Sequence, residues 1–118
     1  MSEFVAACLV GDVPLNGAKR VLVDGTAVAV VHADEGFFAI NDRCSHADVS
    51  LAEGEVDGCA IECWLHGSAF DLRTGVPLSL PAIEPVPTYH LRVVGEGDDA
   101  VIEIDPTPVR ARMSAPGQ

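Results

Sequence analysis

Tight-turn signals punctuate this chain at short intervals: Asp24-Gly25, Asp34-Glu35-Gly36, Asp57-Gly58, Thr74-Gly75 and Gly95-Glu96-Gly97. Each separates two apolar or alternating runs, and the 8 Pro and 11 Gly would interrupt most helices. The pattern predicts short strands at about Phe4–Leu9, Val21–Val23, Thr26–Val31, Phe37–Ile40, Glu55–Cys63, Ala69–Leu72, Tyr89–Val94 and Ala100–Ile104. Asp24-Gly25 is the strongest hairpin signal, because a two-residue loop that matches strand twist needs positive φ at both positions. One short helical turn is expected near Val49–Glu53. Many short antiparallel strands joined by tight turns indicate an all-β sandwich or barrel.

The 118 residues suit one domain, and 48% hydrophobic content excludes a disordered acidic chain. From Pro106 onward the apolar period is lost, so residues 106–118 read as a flexible C-terminal tail behind a domain of residues 1–105. All 18 acidic residues fall within residues 1–105, against five of the seven basic ones. A polyanion of this density is repelled by nucleic acid and by anionic lipid, which makes both unsuitable partners and favours one with a basic patch. No apolar run approaches the ~20 residues that span a bilayer. Met1–Val10 opens with Glu3 and has no positive flank, unlike a signal peptide. The expectation is a soluble cytoplasmic protein, in whose reducing surroundings the 4 Cys read as metal ligands or core thiols rather than disulfides.

Two loops each offer one Cys and one His. Cys44-Ser45-His46 follows the Phe37–Ile40 run, Cys63-Trp64-Leu65-His66 follows the Asp57-Gly58 hairpin, and 16 residues separate His46 from Cys63. A hairpin between the loops brings its own ends together, so Cys44, His46, Cys63 and His66 can converge. Two metal readings compete. A tetrahedral zinc accepts Cys2His2, but its typical spacing puts two to four residues between paired cysteines, and here each loop mixes a Cys with a His. Mixing a Cys and a His in each loop suits a site with two unlike metal positions, such as a Rieske 2Fe-2S centre, where two His replace two Cys on one iron.

Cys44-Ser45-His46, Cys63-Trp64-Leu65-His66-Gly67-Ser68 and Phe70-Asp71-Leu72-Arg73-Thr74-Gly75 resemble the Rieske ferredoxins that serve bacterial ring-hydroxylating and related non-haem iron oxygenases, and the likeness extends over nearly all of residues 1–105. The resemblance implies the Rieske iron-sulfur fold, an antiparallel β-sandwich with a small inserted cluster-binding subdomain at about residues 42–76. It implies one Rieske-type 2Fe-2S cluster, with Cys44 and Cys63 on one iron and His46 and His66 on the reducible iron, their Nε2–H groups facing solvent. Gly67 would let backbone N–H groups approach the cluster, and Trp64 would cover it. Leu65, Pro81 and Ala82 would complete an apolar rim, and Ser68 could donate to a bridging sulfide.

The departures from the family's respiratory members are informative. Val49 and Leu65 stand where those proteins carry a disulfide, and Phe70 stands where they have a Tyr hydroxyl. Fewer hydrogen bonds toward sulfur place the expected potential in the lower half of the Rieske range of about −150 to +300 mV.

Cys8, Cys59, His32 and His90 lie in strand runs without metal-ligand neighbours and read as core or surface residues. A Rieske centre has no open coordination position, so the resemblance implies an electron carrier and not an enzyme. The implied partners are a flavin-containing ferredoxin reductase, drawing on NAD(P)H, and a terminal oxygenase component. Asp48, Glu53, Glu55, Asp57 and Glu62, with no Lys or Arg between residues 44 and 63, would steer such partners. Alternative settings are an accessory protein of iron-sulfur cluster assembly, a redox sensor, or the small subunit of a nitrite reductase.

Overall fold

The computed structural model of the chain describes residues 4–43, 50–63, 69–78 and 85–109. Through them run β1 (Val5–Leu9), β2 (Gly17–Val23), β3 (Thr26–Ala33), β4 (Gly36–Asn41), β5 (Glu55–Asp57), β6 (Ala60–Glu62), β7 (Ala69–Asp71), β8 (Thr88–Tyr89), β9 (Leu91–Val94) and β10 (Val101–Ile104). Pairing is antiparallel, in sheets ordered β1-β10-β9, β2-β3-β4-β8 and β5-β6-β7. Helical structure among the described residues is confined to 3-10 turns, one of them Leu51–Glu53 inside the stretch expected to turn. The all-β expectation holds.

Asp24 and Gly25 take φ of 52° and 83°, as a two-residue loop between β2 and β3 demands. β2 starts at Gly17, earlier than the apolar run suggests, because exposed Lys19 and Arg20 interrupt the hydrophobic pattern of a strand that is paired throughout with β3. The expected strand Glu55–Cys63 is two strands, β5 and β6, folded at Gly58 with φ 62°. The expected strand Tyr89–Val94 is also two. β8 pairs with β4 while β9 pairs with β10, so the chain changes sheets at His90.

β3 is the middle of the molecule. Its Ala29, Val31 and Ala33 enter a core with Ile40, Leu51, Ile61, Cys63, Phe70, Leu72 and Val86. Val28 and Val30 point the other way, into a second core with Val21, Val23, Tyr89, Ile102 and Ile104. A strand buried on both faces loses the polar alternation of a surface strand, which is why Val28–Val31 reads as an unbroken apolar run. The sandwich is therefore β2-β3-β4-β8 against β1-β10-β9, with the small β5-β6-β7 sheet on the opposite face.

The chain past β10 is tied in as far as Val109. Asp105 N–H donates to His90 O at 3.0 Å, and Val109 bridges to Thr88 through a bond of 2.7 Å. Of the tail expected from Pro106, residues 106–109 thus lie along the sheet, and residues 110–118 are outside the described residues.

Candidate metal centre

Of the four expected ligands, Cys63 lies among the described residues. Cys44, His46 and His66 lie outside them, as do Val49, Trp64, Leu65, Gly67, Ser68, Pro81 and Ala82. The structure does describe the roots of the segments that carry them.

The segment 44–49 springs from β4 and is closed by an antiparallel bridge between Arg43 and Ser50. Asp42 fastens this closure. Its carbonyl accepts from Leu51 N–H, and its carboxylate accepts from Ser50 Oγ at 2.8 Å and from Ala52 N–H at 2.9 Å. Leu51, the first residue of the 3-10 turn, is fully buried in the same core as Cys63. Residues 64–68 connect β6 to β7, whose last described pair is Glu62 with Ala69. The segment 79–84 leaves from the flank of that hairpin, where Phe70 bridges Pro77 and Leu78 N–H donates to Ala69 O at 2.7 Å.

Two glycines hold these roots together. A Cβ on Gly54 would sit 1.8 Å from Glu62 O, so the exit of the first loop lies directly on β6. A Cβ on Gly75 would sit 2.0 Å from Val86 O, at φ 80°, which presses the returning chain onto the turn after β7. The roots of 44–49, 64–68 and 79–84 are thus gathered on the β5-β6-β7 side.

Cys63 is wholly buried and forms no disulfide. Its core is walled by Leu51, Ile61 and Phe70. A dry thiol at the base of a loop suits a sulfur ligand, since excluding water is one way a protein sets the properties of a metal site. Phe70, also fully buried, fills this core with an apolar ring and offers no hydroxyl. The donor chemistry at the root therefore fits an iron-sulfur group.

The other candidates are placed elsewhere. His32 stacks on Phe37 with ring centroids 4.0 Å apart, its Nδ1 2.9 Å from Val13 O. His90 is exposed at the sheet change. Cys8 and Cys59 are partly exposed and packed against the two cores. Burial, seconded by the charge of Asp12, pushes the Cys8 thiol above its ordinary range. Burial also pushes the Cys59 thiol up, against the pull of Arg73. Both thiols stay protonated near neutral pH. Among the described residues no group of three or more His, Cys, Asp or Glu forms a metal site.

Beside the root of the second loop, Glu55, Asp57, Glu62, Ala60 and Ala69 line a groove of about 140 Å³. Glu55 and Glu62 are directly opposed across β5 and β6, an arrangement that opposes folding rather than assisting it. Sequence reasoning found these acids but missed Asp42, Gly54 and Gly75. Their partners are at least eight residues away, so no local pattern announces them.

Residues 3–90 match the family described as Rieske [2Fe-2S] domain. The chain is 42% identical over 101 residues to the 3-phenylpropionate/cinnamic acid dioxygenase ferredoxin subunit of Shigella boydii, covering 85% of this chain and 92% of that protein. Its fold is similar to the ferredoxin of carbazole 1,9a-dioxygenase from Nocardioides aromaticivorans, with TM-score 0.78, 34% identity and coverage of 90% and 100% of the two chains. A chain from a complex of reduced oxygenase and oxidised ferredoxin in carbazole 1,9a-dioxygenase matches with TM-score 0.77 and 30% identity, over 94% of this chain and 97% of that one. No helix among the described residues is long and apolar enough to cross a membrane. With the matched span, the shared all-β architecture and the buried thiol at the loop root in agreement, this chain belongs to the Rieske [2Fe-2S] domain family, as an electron-transfer ferredoxin with one 2Fe-2S cluster for its cofactor.

Proposed function

We propose that Cys44 and Cys63 hold one iron of the cluster and His46 and His66 the other, and that the chain carries single electrons in the cytoplasm from a flavin-containing NAD(P)H reductase to a terminal non-haem iron oxygenase. The observation that carries this reading is the common root. The Arg43–Ser50 bridge and the Glu62–Ala69 pair are joined through the contact of Gly54 with Glu62, so both Cys- and His-bearing loops leave from one patch. The bound cluster supplies one-electron chemistry and nothing more, because protein and sulfide fill its coordination positions.

The protein's own residues do the rest. The core of Leu51, Ile61 and Phe70 keeps water from the base of the site. Trp64 forms its cover, Leu65, Pro81 and Ala82 its apolar rim, Gly67 allows close backbone approach, and Ser68 donates a hydrogen bond. The cluster-binding unit is about residues 42–76, inserted in a domain of residues 1–105. Glu55, Asp57 and Glu62 steer basic partners toward it. The oxygenase bound by the carbazole dioxygenase ferredoxin supports an oxygenase as acceptor. A role in iron-sulfur cluster assembly has less support, since the curated relative matched over 92% of its length is a dioxygenase ferredoxin subunit and the 34% identical structural neighbour is a dioxygenase ferredoxin.

The test is anaerobic purification with iron, zinc and acid-labile sulfide analysis and an EPR spectrum after reduction. The expected result is a coloured protein with iron and sulfide in equal amounts, lost in Cys63→Ser and His66→Ala. A colourless zinc protein without labile sulfide overturns the assignment.

A further inference from the structure

The geometry points to Asp42 as the positioning residue of the first ligand loop, an inference that rests on the cluster reading above. Asp42 follows β4 and is only 3% exposed. Burying a carboxylate carries a desolvation penalty unless its oxygens are satisfied. Both are. Oδ1 accepts from Ser50 Oγ at 2.8 Å and Ala52 N–H at 2.9 Å, and Oδ2 accepts from Arg20 Nε at 3.1 Å. The backbone is committed as well, with Asp42 N–H donating to Ala27 O at 3.0 Å and its carbonyl accepting from Leu51 N–H at 2.5 Å. One residue therefore ties the exit of the loop to its entrance, and ties both to β2 and β3.

Stability alone does not explain this arrangement. Leu51 already anchors the loop exit by complete burial, and a buried ion is weak support for stability compared with an apolar side chain of similar volume. What directional bonds add is a single geometry. Cys44 lies two residues beyond Asp42, so displacement of the Asp42 backbone reaches the ligand with little slack. The side chain of Arg20 is 55% exposed, which makes the pair with Asp42 a weak contributor of energy. Its effect is to hold Oδ2, leaving Oδ1 turned to Ser50 and Ala52.

The test uses the cluster-loaded protein as wild type, Asp42→Ala, Asp42→Asn and Ser50→Ala, with Arg92→Gln as a control that breaks an exposed ion pair with Glu103 on the far sheet. Three quantities are read: the rate of cluster bleaching by a chelator, the EPR line shape after reduction, and thermal unfolding. Asp42→Ala should bleach about 10- to 100-fold faster, the range seen when groups supporting metal ligands are removed, and its EPR lines should broaden. Asp42→Asn keeps an oxygen for Ser50 and Ala52 and loses only the Arg20 pair, so its bleaching should rise by less than about fivefold. Arg92→Gln should match wild type. Wild-type bleaching and line shape in Asp42→Ala overturn the inference, and so does an Asp42→Asn protein as impaired as Asp42→Ala, which would assign the effect to charge. Should Asp42→Ala fail to fold, Ser50→Ala decides: about three- to tenfold faster bleaching is expected from one lost hydrogen bond, and an unchanged rate overturns the role. A wild-type protein without iron or sulfide removes the cluster reading and this inference together, whereas a loaded wild type with indifferent variants removes this one alone.

Discussion

Gly25 and Gly75 share a backbone conformation, with φ of 83° and 80°, but not an environment. A Cβ at Gly25 meets nothing within 4 Å, while one at Gly75 falls 2.0 Å from Val86 O. Gly25→Ala should therefore cost only the left-handed conformation, about 1–2 kcal/mol. Gly75→Ala adds an overpacking cost of about 1–3 kcal/mol against backbone that cannot rotate away. Chemical denaturation should place Gly75→Ala clearly below Gly25→Ala, and equal losses would mean that the segment after Pro85 yields freely. The contrast also marks what a sequence can show at this scale. Asp24-Gly25 is legible because its demand is local and is met within two residues. Gly75 looks like any turn glycine, because the carbonyl that forbids a side chain arrives from eleven residues further on. Cys63 stands out in the sequence through its spacing with His66, and Asp42 does not, since nothing in Asn41-Asp42-Arg43 foretells that its carboxylate will accept from Ser50 and Ala52.

The strands were legible where a turn is marked, but which core each side chain enters was not. β3 shows why. Adjacent residues Val30 and Val31 are both fully buried, yet Val30 packs with Ile102 and Ile104 while Val31 packs with Leu51, Ile61 and Cys63. Truncating either to Ala removes two buried carbons, at about 0.8 kcal/mol each plus the cavity left behind, so each should lose roughly 2 kcal/mol of stability. Their consequences for the cluster should differ. Val31→Ala loosens the core that holds Leu51 and Cys63 and should accelerate chelator bleaching, whereas Val30→Ala should bleach at the wild-type rate. Equal bleaching in two equally destabilised variants would mean that cluster retention follows global stability and not the packing on one side of β3. The same division explains the sheet change at His90. No glycine or proline marks it between Thr88 and Val94, so β8 and β9 read as one run although β8 pairs with β4 and β9 with β10.

At the scale of the whole molecule the governing fact is a net charge of −11, with opposed like charges on the face beside the second loop. Glu55 facing Glu62 costs stability locally, which makes a role in encounter the better account of the pair than a role in folding. Attraction of this kind reaches about 30 Å at 0.01 M salt and about 3 Å at 1 M. It can raise association rates by about 10- to 1,000-fold. Electron transfer from a reductase with a basic docking patch, followed by stopped-flow at limiting ferredoxin, should therefore slow by about tenfold or more as salt rises between those limits. The double variant Glu55→Gln with Glu62→Gln removes the opposed pair while leaving the buried face of β5 and β6, where Val56 and Ile61 pair, untouched. It should flatten the salt dependence, converge on wild type at high salt, and melt no lower than wild type because a like-charge repulsion has been relieved. Parallel salt curves for the two proteins would place the docking charge elsewhere among the acids. A curve that is flat for wild type itself would show that encounter with this reductase is not electrostatically driven, whatever the charge of the chain.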